Sequence, residues 1–347
     1  MKDESIPSAI GTRRKPVNRR TQGRLRERLP RVIDLFAGAG LFGYAFELEG
    51  FDCLDAYEID AVACETHRLN SHAAVHAVDL LKQRPGGRCE VLIAGPPCQG
   101  FSSLGTRRVD DPRNRMCRVI PIWAAVTRPK VIVVENVRPF VKSTAWREMN
   151  QTLLSMGYAS SAVVVNARDY GVAQNRIRSI TVFSTGGLPD VLKQQEKATC
   201  VRESFCDLPK FPTENLHHFC LPQSEYCLKR IRLVPYGGDI RDIYRQAPSF
   251  VPPSWIPVRD KIVDIWGRLT WEGASNTVRT GFLHPSRGRF LHPEHDRPVS
   301  FREAARLQSI PDQVRFIGCA ESVSRQIGNA VPVKLGRAIA RAVKQTL

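Results

Sequence analysis

The stretch VIDLFAGAG, residues 32–40, sets the fold that the rest of the chain follows. Its opening run, from Val32 to Phe36, is rich in large apolar residues and predicts a buried β-strand. Gly38 and Gly40 follow in a turn where the backbone can approach a ligand closely, and an amphipathic helix then runs through Leu48. A strand, a glycine turn and a helix in this order predict the first unit of a doubly wound α/β sheet.

Strand-like and helix-like segments alternate after this turn. Further strands are predicted at residues 54–57, 75–78, 91–94 and 131–134, with later strands at residues 161–166 and 180–183, and a helix ends near Asn70. This alternation is typical of a parallel sheet whose crossover helices cover both faces. The carboxyl ends of such strands meet at one edge, where open α/β sheets bind their ligands.

An acidic residue, Glu58, ends the second predicted strand, about 20 residues after the glycine turn. A carboxylate at this place holds ribose hydroxyls in dinucleotide-type folds. The pattern fits a nicotinamide dehydrogenase as well as an S-adenosylmethionine enzyme. A tight turn followed by a surface glutamate is a third interpretation.

A cysteine stands just after the strand at residues 91–94, in the stretch GPPCQGFS, residues 95–102. Two prolines stop the strand and stiffen the turn before Cys98. Free cysteines are usually packed and inert, and this stretch alone leaves that interpretation open. Glu135 ends the next predicted strand, so Cys98 and Glu135 should converge on one crevice. A thiolate beside a carboxylic acid suits attack on an electron-poor ring, with protonation of a ring atom.

A third element is the segment QNRIR, residues 174–178. Alternate residues of an extended segment point to the same side, so Gln174, Arg176 and Arg178 are expected to share one face. They would present fixed donors to a base oxygen or a phosphate. A solvated edge strand explains the two arginines equally well.

The alternation of strands and helices ends after Ser184. Residues 185–290 are rich in proline and aromatic residues, which predicts a separate, loop-rich domain. Regular helix returns at residues 300–307, where Ser300 and Glu303 form a capping-box pattern, and a final helix begins near Val333. We therefore predict a basic, disordered arm at residues 1–29, a catalytic domain at 30–184, an inserted domain at 185–290, and a segment at 291–347 that completes the catalytic domain.

The chain is strongly basic, with 51 basic and 34 acidic residues and a formal net charge of +17. This excess predicts a polyanionic partner, most simply nucleic acid, although basic tails also serve solubility. Much of the charge lies in the first thirty residues, which contain little that could form a core. The rest of the chain remains basic without them.

Other classes of protein are disfavoured by the composition. No run of about eighteen apolar residues is present, so a membrane span is not expected. The N-terminus lacks an apolar signal core, and ten irregularly spaced cysteines suit a reducing cytosol better than a disulfide framework. His217, His218, Cys220 and Cys227 are zinc-like residue types, but no Cys-x-x-Cys pair anchors them, so a zinc site is not expected.

Six motifs, in order, resemble those of the bacterial-type cytosine-5 DNA methyltransferase family, from about residue 31 to the C-terminus. They are residues 34–40, 95–102 and 135–137, then Gln174 with Arg176 and Arg178, then residues 302–308 and 326–332. The resemblance implies a Rossmann-like methyltransferase sheet with a smaller target-recognition domain inserted between the fourth and fifth motifs. A nicotinamide oxidoreductase would not explain Pro97-Cys98 together with Glu135.

The resemblance implies a catalytic role for four residues. Cys98 would attack carbon 6 of cytosine, and Glu135 would hold and protonate ring nitrogen 3, which makes carbon 5 nucleophilic. Arg178 would bind the carbonyl oxygen of the base, with Arg176 supporting the site. Carbon 5 would then take the methyl group of S-adenosylmethionine. The base must leave the helix, because neither face of a stacked cytosine is open.

The resemblance also implies a cofactor site for S-adenosylmethionine. Phe36 would pack on the adenosyl group beside the turn of Gly38 and Gly40, and Glu58 would hold the ribose. The remaining positions implied are Ile59 on the adenine, Asp79 at its amino group, and Pro97 and Asn329 nearby. Two positions depart from the family pattern: Ile59 stands where an aromatic residue is frequent, and residues 41–43 read LFG where two glycines are common. We expect the second departure to alter helix packing.

The expected partner is double-stranded DNA, bound by an enzyme that is a monomer in the cytoplasm, associated with the nucleoid. A separate cognate restriction endonuclease is compatible with the resemblance. Residues 99–115 are expected to form a mobile loop that closes on DNA. The DNA contacts expected are Gln99, Ser102, Arg107, Arg108, Arg113, Arg115, Gln174 and Thr277. An RNA cytosine-5 methyltransferase and a non-catalytic DNA-binding relative are the alternatives, although a non-catalytic relative would need to lack Cys98 or Glu135.

Overall fold

The computed structural model describes residues 28–97, 116–189, 196–213, 217–259, 261 and 263–347. Residues 1–27 of the predicted basic arm lie outside this range. Cys98 and the predicted DNA loop, up to Arg115, lie outside it as well.

Seven strands form one sheet, and they include most of the strands that the alternating pattern predicts. Its strands, in chain order, are β1 (Arg31–Leu35), β2 (Asp52–Glu58), β3 (Ala74–Ala77), β4 (Val91–Ala94), β5 (Val131–Val137), β6 (Ala159–Asn166) and β8 (Ile177–Ser184). Two short strands, β7 (Gln174–Asn175) and β9 (Ser275–Asn276), pair with each other outside it. The order across the large sheet is β3-β2-β1-β4-β5-β8-β6, so successive strands are added on one side of β1 up to β3 and on its other side from β4 onward. In open α/β sheets this switch point is where ligands bind.

The predicted doubly wound α/β sheet is confirmed, and one edge of it is antiparallel. Strands β1 to β5 pair in parallel, but β8 is antiparallel to both β5 and β6. The connection from β6 to β8 contains no α-helix. Parallel neighbours need a long crossover, usually helical, whereas a chain that returns directly forms an antiparallel pair.

Ten α-helices accompany these strands in the described part of the chain. They are α1 (Leu41–Leu48), α2 (Ala61–Asn70), α3 (Val119–Thr127), α4 (Thr144–Ser155), α5 (Val201–Phe205), α6 (Glu225–Arg232), α7 (Ile240–Gln246), α8 (Phe301–Leu307), α9 (Ala320–Asn329) and α10 (Val333–Lys344). Ser300 and Glu303 form the predicted capping box at α8. Within the described residues, no helix is both long and apolar enough to cross a bilayer.

Alternate residues of the central strands bury opposite faces of the sheet. Val91 and Ile93 of β4 join one apolar cluster with Leu335 and Ile339 of α10, together with residues of α1. Leu92 of β4 joins a second cluster with residues of α3 and α4. The period of two thus places one layer of helices on each face, and the C-terminal helix α10 belongs to the layer of α1.

The loop-rich segment predicted at residues 185–290 has two kinds of core. Its middle part has a cluster of its own, which includes Ile231, Ile243 and Trp266. Its two ends, including Val201 and Phe282, pack in the same cluster as Phe301 of α8 and other C-terminal residues. The segment is therefore continuous with the C-terminal helices at its ends and separate in its middle.

Candidate active site

A cavity of about 380 Å³ opens at the carboxyl ends of β1, β2, β4 and β5. It lies at the switch point of the sheet. Its lining brings together most of the residues predicted for catalysis and for cofactor binding: Phe36, Gly38, Glu58, Ile59, Asp79, Pro97, Glu135, Arg176, Arg178 and Asn329.

Glu58 joins the two loops on one side of this cavity. One carboxylate oxygen accepts a hydrogen bond from the backbone N–H of Gly38 at 2.8 Å. The other accepts from the N–H groups of Ile59 and Asp60, each at 2.9 Å. Phe36 beside it has φ +59°, a left-handed conformation that is costly for a residue with a side chain and that often marks ligand sites.

Gly40 does not fit its predicted place in the cofactor site. It is absent from the cavity lining, and its φ is +82° at the start of α1. A Cβ atom here would lie 2.3 Å from the ring of His67, which is buried against this turn. The glycine is therefore explained by close packing with α2. Burial lowers the pKa of His67 to about 4, so the ring stays neutral.

An apolar residue, Ile59, and two carboxyl groups, those of Asp79 and Asp34, also line the cavity on the side of Glu58. Ile59 is 65% exposed, which is high for a large apolar side chain and suits a flat apolar ligand. Asp79 follows β3 and also lines the cavity. Asp34 is buried at the base, and burial raises its pKa well above its usual range, against the opposing hydrogen bond from the Gly43 N–H.

An ion pair between Glu135 and Arg178 occupies the other side of the cavity. Arg178 Nε lies 3.0 Å from Glu135 Oε1, and both side chains are mostly buried. They stand on neighbouring antiparallel strands, β5 and β8. Next to Glu135, Asn136 Nδ2 donates to the carbonyl of Pro96 at 3.0 Å, which ties β5 to the proline turn. Pro97 is the last described residue of that turn and directly precedes Cys98.

Arg176 connects three separate parts of the chain. It lies between β7 and β8 and is buried. Its Nη1 donates to the carbonyl of Val278 at 3.3 Å and to that of Gly328 at 3.2 Å. The supporting role that the resemblance implies for Arg176 in catalysis stays a prediction.

The predicted DNA contact by Gln174 does not fit its placement. The side chain is completely buried. Its Nε2 donates to Leu307 O and Gln308 Oε1, each at 3.2 Å, and its Oε1 accepts from the Val278 N–H at 2.8 Å. Gln174 therefore holds the end of the inserted segment against α8, and the expectation that it shares a ligand-facing side with Arg178 is wrong.

The other predicted DNA contacts are described only in part. Gln99, Ser102, Arg107, Arg108, Arg113 and Arg115 lie outside the described residues. Thr277 is partly exposed, just after β9, and its hydroxyl donates to the carbonyl of Asn175 at 2.7 Å.

The cavity residues to which the sequence analysis assigned no role include two on α9. Arg325 and Gln326 of α9 both line the cavity. Arg325 Nη2 lies 3.8 Å from Asp60 Oδ2, beside Ile59 on the cavity rim. A signal was present, because Gln326 precedes Asn329 by three residues, and helix positions so spaced share a face.

Three residues of the histidine and cysteine cluster, His217, His218 and Cys227, make structural hydrogen bonds. His218 is buried, with Nδ1 2.8 Å from Ser300 Oγ and Nε2 2.8 Å from the carbonyl of Pro209. His217 Nε2 accepts from the Phe316 N–H at 3.3 Å, and Cys227 Sγ donates to Gln223 Oε1 at 3.2 Å. Within the described part of the chain, no group of three or more potential ligands is arranged for a metal ion.

Known proteins resemble this chain over most of its length. The Type II methyltransferase M1.HphI of Haemophilus parahaemolyticus is 32% identical, over 90% of this chain and 86% of that protein. The Type II methyltransferase M.XorII of Xanthomonas oryzae pv. oryzae is 31% identical, over 92% of this chain and 85% of that protein.

Solved structures share the fold. A DNA modification methyltransferase encoded within an E. coli prophage superposes with a TM-score of 0.65 at 23% identity, covering 91% of this chain and 99% of that one. The Entamoeba histolytica methyltransferase EhMeth gives a TM-score of 0.66 at 14% identity, covering 92% of this chain and 99% of that one.

The sequence profile of one family matches residues 30–345, which include the whole sheet and every described residue of the cavity. That family is described as C-5 cytosine-specific DNA methylase. Together with the two relatives above 30% identity, this match shows that the chain belongs to the C-5 cytosine-specific DNA methylases.

Proposed function

We propose that this protein transfers a methyl group from S-adenosylmethionine to carbon 5 of a flipped-out cytosine in a specific double-stranded DNA sequence, through a covalent adduct with Cys98. One observation carries this proposal. The Glu135–Arg178 ion pair shares a single cavity with Glu58, Ile59 and the residue that precedes Cys98.

The cofactor half of the cavity fits S-adenosylmethionine by the chemistry of its walls. Glu58 would hold the ribose hydroxyls, with Phe36 and the exposed Ile59 against the adenine, and Asp79 at the adenine amino group. Bound there, the cofactor supplies a methyl group activated by a positively charged sulfur.

The other half of the cavity supplies the chemistry on the base. The thiolate of Cys98 forms a bond to carbon 6, and Glu135 holds the proton at ring nitrogen 3 that prevents charge from building up on the ring. Arg178 fixes the Glu135 carboxylate through their ion pair, and it would also bind the carbonyl oxygen of the base. After methyl transfer, loss of the carbon 5 proton and of the thiolate restores the aromatic ring.

The inserted segment at residues 185–290 is the part that we assign to target recognition. It carries an open cavity of about 470 Å³ lined by Arg241, Tyr244, Arg245, Arg259 and Val263. The Arg259 guanidinium lies 5.6 Å from the centre of the Tyr244 ring. Arginines grouped with an aromatic ring suit the phosphates and bases of DNA.

Trapping with a modified substrate tests this proposal. The intact protein should transfer labelled methyl groups from S-adenosylmethionine to unmethylated duplex DNA. It should form a denaturant-resistant adduct with DNA that contains 5-fluorocytosine, because fluorine blocks the final elimination at carbon 5. Cys98→Ala should form no adduct and transfer no methyl group, yet still bind DNA.

Two outcomes would contradict the proposal. Active protein that leaves no adduct would exclude the Cys98 mechanism. Methylation of an RNA oligonucleotide in preference to the matching DNA duplex would assign the chain to RNA instead.

A further inference from the structure

Arg241 is exposed on the inserted segment, yet its guanidinium is held in one orientation. Its Nε and Nη2 donate to the two carboxylate oxygens of Asp239, at 2.9 and 2.6 Å. The Arg241 side chain is nevertheless 63% exposed, whereas that of Asp239 is 4% exposed. Its Nη1 makes no hydrogen bond within the described part of the chain. The edge formed by Nη1 and Nη2 can therefore offer two parallel N–H groups to a ligand.

The carboxylate that holds Arg241 is itself fixed by the fold. Asp239 caps α7, where its carboxylate accepts from the Arg241 backbone N–H at 3.0 Å and its own N–H donates to Asp242 Oδ2 at 2.9 Å. It also accepts from Arg289 Nη2 at 3.0 Å. Ile243 anchors α7 in the core of the insert. A guanidinium oriented in this way loses little freedom when it binds a ligand.

Contacts connect this pair to the catalytic strands. Arg289 Nε lies 3.7 Å from Asp264 Oδ1. Both carboxylate oxygens of Asp264 accept from Asn276 Nδ2, at 2.8 and 3.0 Å. Asn276 lies in β9, which pairs with β7 directly before Arg176. A ligand bound by Arg241 would thus lie at a fixed distance from the active site.

The ligand that fits this edge has two neutral acceptors side by side. Two parallel N–H donors match the O6 and N7 atoms of guanine, which face the major groove of DNA. A phosphate is a less suitable partner, because the carboxylate of Asp239 lies 2.6 Å from the same guanidinium and would repel it. Arg241 also lines the open cavity of about 470 Å³ with Tyr244 and Arg245, which lie one turn further along α7. The edge of a base can therefore reach it.

We propose that Arg241, oriented by Asp239, reads a guanine of the target sequence through the major groove. The inference rests on the proposed function and deepens it, because it assigns one base of the target to one side chain of the insert. The guanine is not the one that pairs with the methylated cytosine. The target sequence of this protein therefore contains a second G·C pair.

The experiment first determines the target and then removes one acceptor at a time. Bisulfite sequencing of DNA from cells that express the wild type gives the target sequence. Filter binding with S-adenosylhomocysteine present then measures the Kd of duplexes in which 7-deazaguanine replaces each guanine in turn, which removes only the N7 acceptor. These duplexes are bound to wild type, Arg241→Ala and Arg337→Ala. Arg337 is the matched control, because it lies on α10, outside the insert, and pairs with Glu49 at 2.6 Å.

We expect 7-deazaguanine at one position of the target to weaken binding by wild type and by Arg337→Ala at least about ten-fold, as for loss of a hydrogen bond to a charged group. Arg241→Ala should bind the unmodified duplex about as weakly and should not respond to 7-deazaguanine at that position. Bisulfite sequencing of cells that express Arg241→Ala should show that other bases are accepted at this position alone.

Three results would overturn the inference. The first is a target without a G·C pair besides that of the methylated cytosine. The second is an equal response of wild type and Arg241→Ala to 7-deazaguanine at every position, which would assign the guanines to other side chains. The third is an equal loss for all duplexes in Arg241→Ala with a salt slope smaller by about one, which would make Arg241 a phosphate contact.

Two further results are kept apart from these. If Arg241→Ala does not fold, Arg241→Gln gives the same comparison, because glutamine cannot offer the parallel pair of N–H groups of a guanidinium. If DNA from cells that express active wild type contains no methylated cytosine, the proposed function itself is contradicted.

Discussion

Individual residues at this site serve the ligand and the fold at once. Glu58 is expected to hold a ribose, but its carboxylate also receives three backbone N–H groups from the loops after β1 and β2. The carboxylate therefore shapes the cavity before any ligand binds. Preorganisation of this kind lowers the cost of ordering on binding.

Replacing Glu58 should weaken the cofactor site without unfolding the protein. Glu58→Ala removes an acceptor from the ribose and from three N–H groups, so we expect S-adenosylmethionine binding to weaken by about 1–3 kcal/mol. Glu65→Ala is a matched control, because Glu65 is an exposed residue of neighbouring α2. Isothermal calorimetry checks the expectation, and an unchanged Kd for Glu58→Ala would mean that the ribose lies elsewhere.

His67 should make the folded protein sensitive to acid. Its folded pKa is about 4, below the ordinary value, because the ring is buried without a hydrogen-bond partner in the described part of the chain. Below about pH 6.5 the histidine is protonated in the unfolded chain but stays neutral in the folded protein. The free energy of unfolding therefore decreases as the pH falls to about 4, by up to about 3 kcal/mol.

Urea titrations between pH 7 and pH 4 measure the free energy of unfolding and check this expectation. The range starts above the ordinary histidine pKa of about 6.5. In His67→Leu, the free energy of unfolding should fall less steeply as the pH decreases, by the slope that corresponds to about one bound proton. Replacement of the exposed His72 should leave this slope unchanged. An equal pH dependence in wild type and His67→Leu would contradict it.

At the scale of elements, helix α9 joins the inserted segment to the catalytic sheet. A Cβ atom on Gly328 would lie 2.5 Å from the backbone N of Thr280 and 2.6 Å from the carbonyl carbon of Arg279. Arg176 adds hydrogen bonds to the carbonyls of Gly328 and Val278 at the same point. Only glycine allows backbones to approach so closely.

Gly328→Ala should move helix α9 away from the end of the inserted segment. Alanine favours a helix, but the clash with two backbone atoms should cost more, about 1–3 kcal/mol as for an overpacked core. We expect a lower Tm and weaker cofactor binding, since Gly328 and Arg176 both line the cavity. Gly187→Ala, where a Cβ would meet nothing within 4 Å, should leave both quantities unchanged. A normal Tm for Gly328→Ala would show that the junction can widen freely.

The sequence predicted elements well where one local pattern decides them. The apolar run at β4, the cap at Ser300 and the end of β2 at Glu58 were all placed correctly, because strand periodicity and capping are local. The sequence analysis failed where contacts between residues far apart in the chain decide the placement of a side chain or strand. The spacing of Gln174 gave no sign that Leu307 and Val278 would surround it, and Gly40 is explained only by His67 of the next helix. The antiparallel β8 depends on a short return from β6, which apolar runs do not reveal.

At the scale of the whole molecule, chemistry and recognition are expected to reside in different parts of the chain. The site of chemistry uses strand ends of a rigid sheet, which must treat every target cytosine alike. The middle of the inserted segment has its own core and consists of short helices and loops, which present adaptable side chains. Reading base edges requires such side chains, so the choice of sequence should travel with the insert.

Exchanging the insert tests this division. A chimera that carries residues 185–290 of a relative should methylate the relative's target sequence, and each wrong base pair should cost about 1–3 kcal/mol. The ends of the insert pack against Phe301, so the chimera should keep the host residues Val201, Phe205, Phe282 and Phe290. Bisulfite sequencing of DNA from expressing cells reads out the sites. If an active chimera keeps the original target, recognition resides outside the insert, and the arginine-rich segment after Cys98 becomes the part of the chain to exchange next.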